Sequence, residues 1–275
     1  RKEGLNLIKA IAVDKDGTFF KSDHTYDLAY FEQLYKQMEK QQIKFIVASG
    51  NQYEQLRSFF PGKDQKIVYV AENGALTYFN NELLAKEAFV DSDIHNVIKY
   101  LQQTYHIENI ILGGIKTAYM LKGTNQTFID YAQLYYKNIT FVDNFSEVVD
   151  DTFIKVAMRI QDTNLVTTIT EDLQQRYSDI VRAVTSGNDS VDLLVPSVNK
   201  GKAIQTLLDD WGIANHELLA FGDANNDIEM LQLTPHSYAM ASCSPELARV
   251  AQYRAPSNDD SGVLQVIEQY LQAQD

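Results

Sequence analysis

The chain has 275 residues, 45% of them hydrophobic, which supports a large core and sets an expectation of about two domains. Its net charge of -13 argues against nucleic acid or an anionic membrane as a primary partner, because both need a basic surface. The single cysteine, Cys243, allows no intramolecular disulfide and points to the cytoplasm, and no apolar run is long enough to cross a bilayer.

In chain order, the apolar residues 8–13 read as a buried strand that stops at Asp14-Lys15-Asp16-Gly17-Thr18. Residues i and i+2 of a strand share a face, so Asp14 and Asp16 are expected to project together while Lys15 points away. Two carboxylates that close repel each other. They form a metal site, a nucleophile beside its acid/base partner, or a solvated acidic turn. A helix is expected within residues 27–41, then a second buried strand over 43–48 that ends in Ser49-Gly50-Asn51. The Ser49 hydroxyl and the backbone around Gly50 can receive an anion ahead of the next helix, expected over 52–60; a serine there can equally cap that helix. A strand over 67–71, followed by Glu72-Asn73-Gly74-Ala75, completes a βαβαβ half of a doubly wound parallel α/β sheet.

From residue 83 to 189 the pattern changes to strand pairs between helices, which predicts an inserted α+β domain with a largely antiparallel sheet. Helices are expected within 92–105, 128–136 and 165–176, and strands over 110–112, 118–120, 153–160 and 181–185. Tyr131, Tyr135 and Tyr136 fit one helical face, as core packing or as rings for a sugar to stack on. Gly113-Gly114 and Ser186-Gly187-Asn188 read as loop tips.

The parallel alternation resumes with Asn199-Lys200, a helix over 202–211 and a strand over 218–221 that ends in Gly222-Asp223-Ala224-Asn225-Asn226-Asp227. A further helix, a strand over 238–240 and a C-terminal helix over 263–272 follow. The expected domains are thus 1–82 and 190–275 for the parallel core and 83–189 for the insert. A lysine at a helix N-terminus opposes the helix dipole, so the charge of Lys200 is wanted there for another reason, whereas Asp223 and Asp227 suit a helix start. The five histidines have no ligand-like spacing, so no zinc site is expected.

Four strand or helix ends thus carry, in order, a carboxylate pair, a hydroxyl, a lysine and a second acidic cluster. This order resembles the haloacid dehalogenase superfamily of phosphohydrolases. The Glu72-Asn73-Gly74-Ala75 stretch and the Gly222-Asp223-x-x-Asn226-Asp227-x-x-Met230 signature resemble its Cof-type sugar-phosphatase branch, which has a Rossmann-like core and an inserted C2-type cap. The resemblance covers nearly the whole chain. It implies Asp14 as the nucleophile, Asp16 as the acid/base, and Ser49, Gly50, Lys200 and Asn226 as phosphate-binding residues. It also implies a magnesium ion on the Asp14 and Asp223 carboxylates and the Asp16 carbonyl, with Asp227 orienting the metal waters or Lys200.

The implied substrate is a small phosphorylated metabolite, most plausibly a sugar phosphate, with substrate choice residing in the cap of a monomer or weak homo-oligomer. A phosphomutase and a catalytically silent phosphate-binding protein are the alternatives. The sequence departs from the family pattern in two places. Lys15 replaces a usually apolar residue and is expected to emerge at the strand edge or pair with a nearby acid. Ser49-Gly50-Asn51 stands where Thr-Gly-Arg is usual, keeping the hydroxyl and losing a cation.

Overall fold

The first strand forms as β1, Ala10–Val13, and all four of its residues are buried, as a strand covered on both faces requires. The structure is a computed structural model that describes residues 7–185 and 189–274, so Ser186-Gly187-Asn188 lies outside the described residues. After β1 come α1 (Leu28–Lys40), β2 (Lys44–Ala48), α2 (Tyr53–Ser58) and β3 (Ile67–Ala71). Helix α1 is started by the Asp27 carboxylate, which accepts from the Tyr30 N–H, and buries the stripe Phe31, Leu34, Tyr35 and Met38. Strand β4 (Leu76–Phe79) then pairs antiparallel with β3, and β5 (Glu82–Lys86) antiparallel with β4, two strands not expected from the sequence.

The chain continues through α3 (Asp91–Tyr105), β6 (Ile110–Gly114), β7 (Ala118–Leu121), α4 (Gln126–Gln133) and β8 (Ile139–Val142). Next come β9 (Phe153–Arg159), α5 (Leu165–Tyr177), β10 (Arg182–Thr185) and β11 (Ser190–Leu194). The return consists of α6 (Lys200–Trp211), β12 (Leu218–Gly222), α7 (Ile228–Gln232), β13 (His236–Ala239), α8 (Pro245–Val250), β14 (Tyr253–Arg254) and α9 (Gly262–Gln274).

These elements divide into two compact units, one of the residues up to Lys86 and from Asn199 onward, the other Glu87–Val198. The division falls after Lys86 and after Val198, beyond the expected boundaries at 82 and 189. β5 extends the first sheet to Lys86, and β11 pairs with both β9 and β10, which keeps residues 190–194 in the insert. The first unit holds one eight-stranded sheet in the order β14-β13-β12-β1-β2-β3-β4-β5. From β14 to β3 it is parallel. The chain winds outward from β1 through β2 and β3, then returns to β12 on its other side and winds the opposite way. A doubly wound sheet binds ligands at such a switch point, beyond the carboxyl ends of the strands. Val13 lies level with both Val47 and Phe221, so β1, β2 and β12 end together.

The second unit carries a six-stranded sheet in the order β10-β11-β9-β6-β7-β8, antiparallel except for the β7–β8 pair. From Ile154 onward strand β9 alternates: Val156 and Met158 join a core with α3 and α5, while Lys155, Ala157 and Arg159 are half-buried. Gly113 and Gly114 lie within β6 and not at a loop tip. A side chain at Gly114 would collide with the Asp151 carboxylate, which is why that strand end is glycine. The three tyrosines do not share a helical face, because α4 ends at Gln133: Tyr136 is buried, Tyr131 is half-buried and Tyr135 is 56% exposed.

Candidate active site

Each charged or hydroxyl side chain of the site sits where a strand stops or a helix starts. Asp14 follows β1 directly, Ser49 follows β2, Asp223 follows β12, and Lys200 is the first residue of α6. Helix α6 is capped by the Asn199 side chain, which accepts from the Lys202 N–H and fixes where Lys200 leaves the backbone.

Lys200 is fully buried, and its ammonium donates to Asp14 Oδ1 at 2.6 Å and to Asp227 Oδ1 at 2.7 Å. The other Asp227 oxygen accepts from the backbone N–H groups of Asp223 at 3.0 Å and Ala224 at 3.2 Å. Both Asp227 oxygens are therefore occupied, and the residue works as a brace between Lys200 and the turn that carries Asp223. Thr18 donates its hydroxyl to Asp223 Oδ1 at 2.9 Å. Gly17 lets the β1 loop close on Asp223: its φ is +74°, and a Cβ there would lie 2.4 Å from Asp223 Oδ2.

Carboxylate oxygens of Asp14, Asp223 and Asp227 lie within 4.8 Å of one another, and those of Asp14 and Asp227 accept from one ammonium. Burial pushes the Asp14 carboxyl up to about 8; Lys200 opposes this, and Asp227 and Asp223 add to it. Burial likewise raises the Asp223 carboxyl, against its bond from Thr18. For Lys200, burial favours the neutral amine, but Asp14 and Asp227 outweigh it and the net shift is upward. An acid-rich, oxygen-only set with too little positive charge suits a hard divalent cation such as magnesium.

Ser49 is buried, but its hydroxyl donates to Asn51 Oδ1 at 2.7 Å and accepts from the Asn51 N–H at 3.1 Å. Asn51 in turn donates to Gln55. Ser49 does not cap α2, whose N-cap is Gln52. Asn226 is exposed and donates to Asn73 Oδ1 at 3.1 Å, and the Asn73 side chain also lies against Gly50. The Asn73 N–H donates to the Ser49 carbonyl at 2.9 Å. Glu72, Asn73 and Gly74 all have positive φ, and a side chain at Gly74 would meet the Asn199 carbonyl at 2.3 Å. This tight loop locks the end of β2 to the start of α6.

Asp16 stands apart from the cluster. Its side chain is 52% exposed and pairs with Lys15 Nζ at 2.5 Å, so the two aspartate side chains of the motif are held by different lysines. The strand rule for i and i+2 fails at this point because β1 ends at Val13 and the chain is already turning. Of the two outcomes expected for Lys15, pairing with an acid is the one observed. Sequence reading assigned no role to Thr18 or Asn73. The Asn-Gly dipeptide after a buried strand, a strong turn signal, was the available clue for Asn73.

The sequence profile described as haloacid dehalogenase-like hydrolase matches residues 11–267. A 5-amino-6-(5-phospho-D-ribitylamino)uracil phosphatase of Escherichia coli (strain K12) is 40% identical over 270 residues, which cover 96% of each chain. The crystal structure of a Streptococcus mutans UA159 protein superposes with a TM-score of 0.85 at 34% identity, covering 96% of this chain and 99% of that one. A solved HAD subclass IIB sugar phosphatase shares the fold, with a TM-score of 0.74 at 20% identity over 95% of this chain and 98% of that one.

Proposed function

The chain belongs to the haloacid dehalogenase-like hydrolases and is a phosphoric monoester hydrolase; on that premise we propose a magnesium-dependent phosphatase of small phosphorylated metabolites, sugar or sugar-alcohol phosphates first among them. The observation that carries this reading is Lys200, a fully buried ammonium bonded to Asp14 at the end of β1 and to Asp227 just before α7.

Asp14 attacks phosphorus, forming an oxygen–phosphorus bond as the bond from phosphorus to the ester oxygen breaks. Asp16 gives its proton to the departing oxygen. The resulting Asp16 carboxylate then takes a proton from the water that attacks the aspartyl phosphate, releasing phosphate and restoring Asp14. Lys200 holds Asp14 in line and meets the charge on the phosphoryl oxygens, with Gly50, Asn226 and a rotated Ser49 hydroxyl as further donors. The Asp14 and Asp223 carboxylates and the Asp16 carbonyl would hold magnesium, which supplies positive charge to the transferring group when bound.

Among the described residues no helix is long and apolar enough to cross a membrane, and we place the enzyme in the cytoplasm as a monomer or weak homo-oligomer. The choice of leaving group is assigned to the inserted unit. The name of the 40% identical relative makes a ribityl phosphate joined to a uracil ring the first compound to test. Phosphate release should be measured from that compound, other sugar phosphates and nucleotides, with magnesium and with chelator. Magnesium-dependent release that Asp14→Asn abolishes is the expected result. Release that survives in the variant would overturn the assignment.

A further inference from the structure

Lys15 is a buried cation that the reaction scheme above does not use. Its side chain is only 5% exposed, and its ammonium lies 4.9 Å from the centre of the Phe20 ring and 4.7 Å from that of Phe59, bonded to Asp16 Oδ1 at 2.5 Å. Burying an ammonium is costly unless a partner offsets the lost water, and here the offsets are one carboxylate and two ring faces. The aromatic slot fixes the ammonium, because Phe20 packs edge-on against Phe59, with ring centroids 5.1 Å apart. Asp16, by contrast, is half exposed and without a partner would sample its rotamers freely. His24 Nδ1 is 3.9 Å from the same Asp16 oxygen, on a side chain that is largely exposed, and offers no comparable restraint.

We propose that Lys15 is a positioning residue that fixes Asp16 for proton transfer to the leaving oxygen, an inference that rests on the phosphatase reading. As the bond from Asp14 oxygen to phosphorus forms and the ester bond breaks, the Asp16 proton moves to the departing oxygen and negative charge appears on the Asp16 carboxylate. The bond from Lys15 occupies Asp16 Oδ1 and leaves Oδ2 to carry the proton to the departing oxygen. Fixing that oxygen matters most for an alkyl leaving group, which needs its proton early, and least for an aryl one, which departs readily as an anion.

The test compares kcat/KM, which reports transfer to Asp14, for the best alkyl phosphate and for p-nitrophenyl phosphate in the wild type, Lys15→Met, Lys15→Arg and Asp16→Ala. Methionine keeps the length and apolar stem of lysine, and thermal melting checks that the slot survives. Lys15→Met should lower the alkyl value by about 10–100-fold and the aryl value by about threefold or less. Inhibition by inorganic phosphate should be unchanged, and Lys15→Arg should recover part of the loss. Equal losses on both substrates, no loss, or a loss that tracks melting temperature would overturn the role of Lys15, provided that Asp16→Ala shows the steep leaving-group dependence. If Asp16→Ala lacks that dependence, the acid/base assignment fails and Lys15 loses its role with it. A wild type that releases no phosphate from either ester would overturn the phosphatase reading itself.

Discussion

The two units of this chain treat charge in opposite ways. Among the described residues every buried charged side chain, Asp14, Lys15, Lys63, Glu72, Lys200 and Asp227, belongs to the parallel unit. In the inserted unit the ion pairs lie at half-buried or exposed positions: Arg159 with Asp189, Lys155 with Asp192, Lys122 with Asp143 and Lys116 with Asp150. Exposed pairs are worth only about 0–1 kcal/mol each, whereas a buried group left without its partner costs about 3–5 kcal/mol. The difference teaches where to look for chemistry. Dehydrated charge is tolerated only where partners converge on it; apart from Lys63, paired with Glu32 of α1, and Glu72 after β3, these side chains gather beyond the ends of β1 and β12 and at the start of α6.

The sharpest way to break this contrast is to remove Lys200. Lys200→Ala leaves two buried carboxylates facing each other, so the loss in unfolding free energy should be about 3–5 kcal/mol, with turnover falling by at least about 10³-fold. Denaturant unfolding and phosphate release measure the two effects. A stability loss under about 1 kcal/mol would mean that the cluster is wetter than its burial implies.

A smaller effect concerns pH. Because the Asp14 carboxyl is raised from the ordinary carboxylate range to about 8, the folded protein binds that proton more tightly than the unfolded chain. Metal-free stability should therefore fall as pH rises from about 4 to about 8, and Asp14→Asn should flatten that slope. Melting temperature across this range in chelator is the measurement, and a metal-free profile that rises towards pH 8 would contradict the reading. Magnesium favours the ionised form, so it should raise the melting temperature by a few degrees near pH 8 and by less near pH 5.

The smallest effect belongs to the insert. Arg159→Met removes its pair with Asp189 and its stacking on Tyr131, and should cost under about 1 kcal/mol. The rate on p-nitrophenyl phosphate should stay within about twofold, since the reaction is assigned to the parallel unit. A loss comparable to that of Lys200→Ala would erase the distinction between the units.

The strand ends that carry this site were legible because apolar runs such as β1 and β12 stop abruptly at polar residues, and Asp14, Ser49 and Asp223 fall at such stops, while Lys200 opens a helix. The β4–β5 pair was not legible, because all five residues of β5 are exposed and an exposed edge strand has no buried periodicity. Strand β11 was not expected at all: residues 190–194 read as the start of the returning core, and they form a strand as the partner of β9 and β10. Within the site, the tie from Asn73 to Asn226 depends on side chains meeting across 153 residues, which no local pattern records. The pairing of Lys15 with Asp16 was half visible, since a lysine beside an aspartate has few other places to put its charge.

The most direct test of the account is to trap the phosphoryl group. Asp16→Ala protein mixed with p-nitrophenyl phosphate and magnesium, quenched in acid and digested, should carry phosphate on the peptide that contains Asp14, because the good leaving group departs without an acid while the base for hydrolysis is missing. Phosphate on that peptide, absent when Asp14→Asn is added, is the result predicted. Continued phosphate release with no phosphoryl group on Asp14 would contradict covalent catalysis at the end of β1.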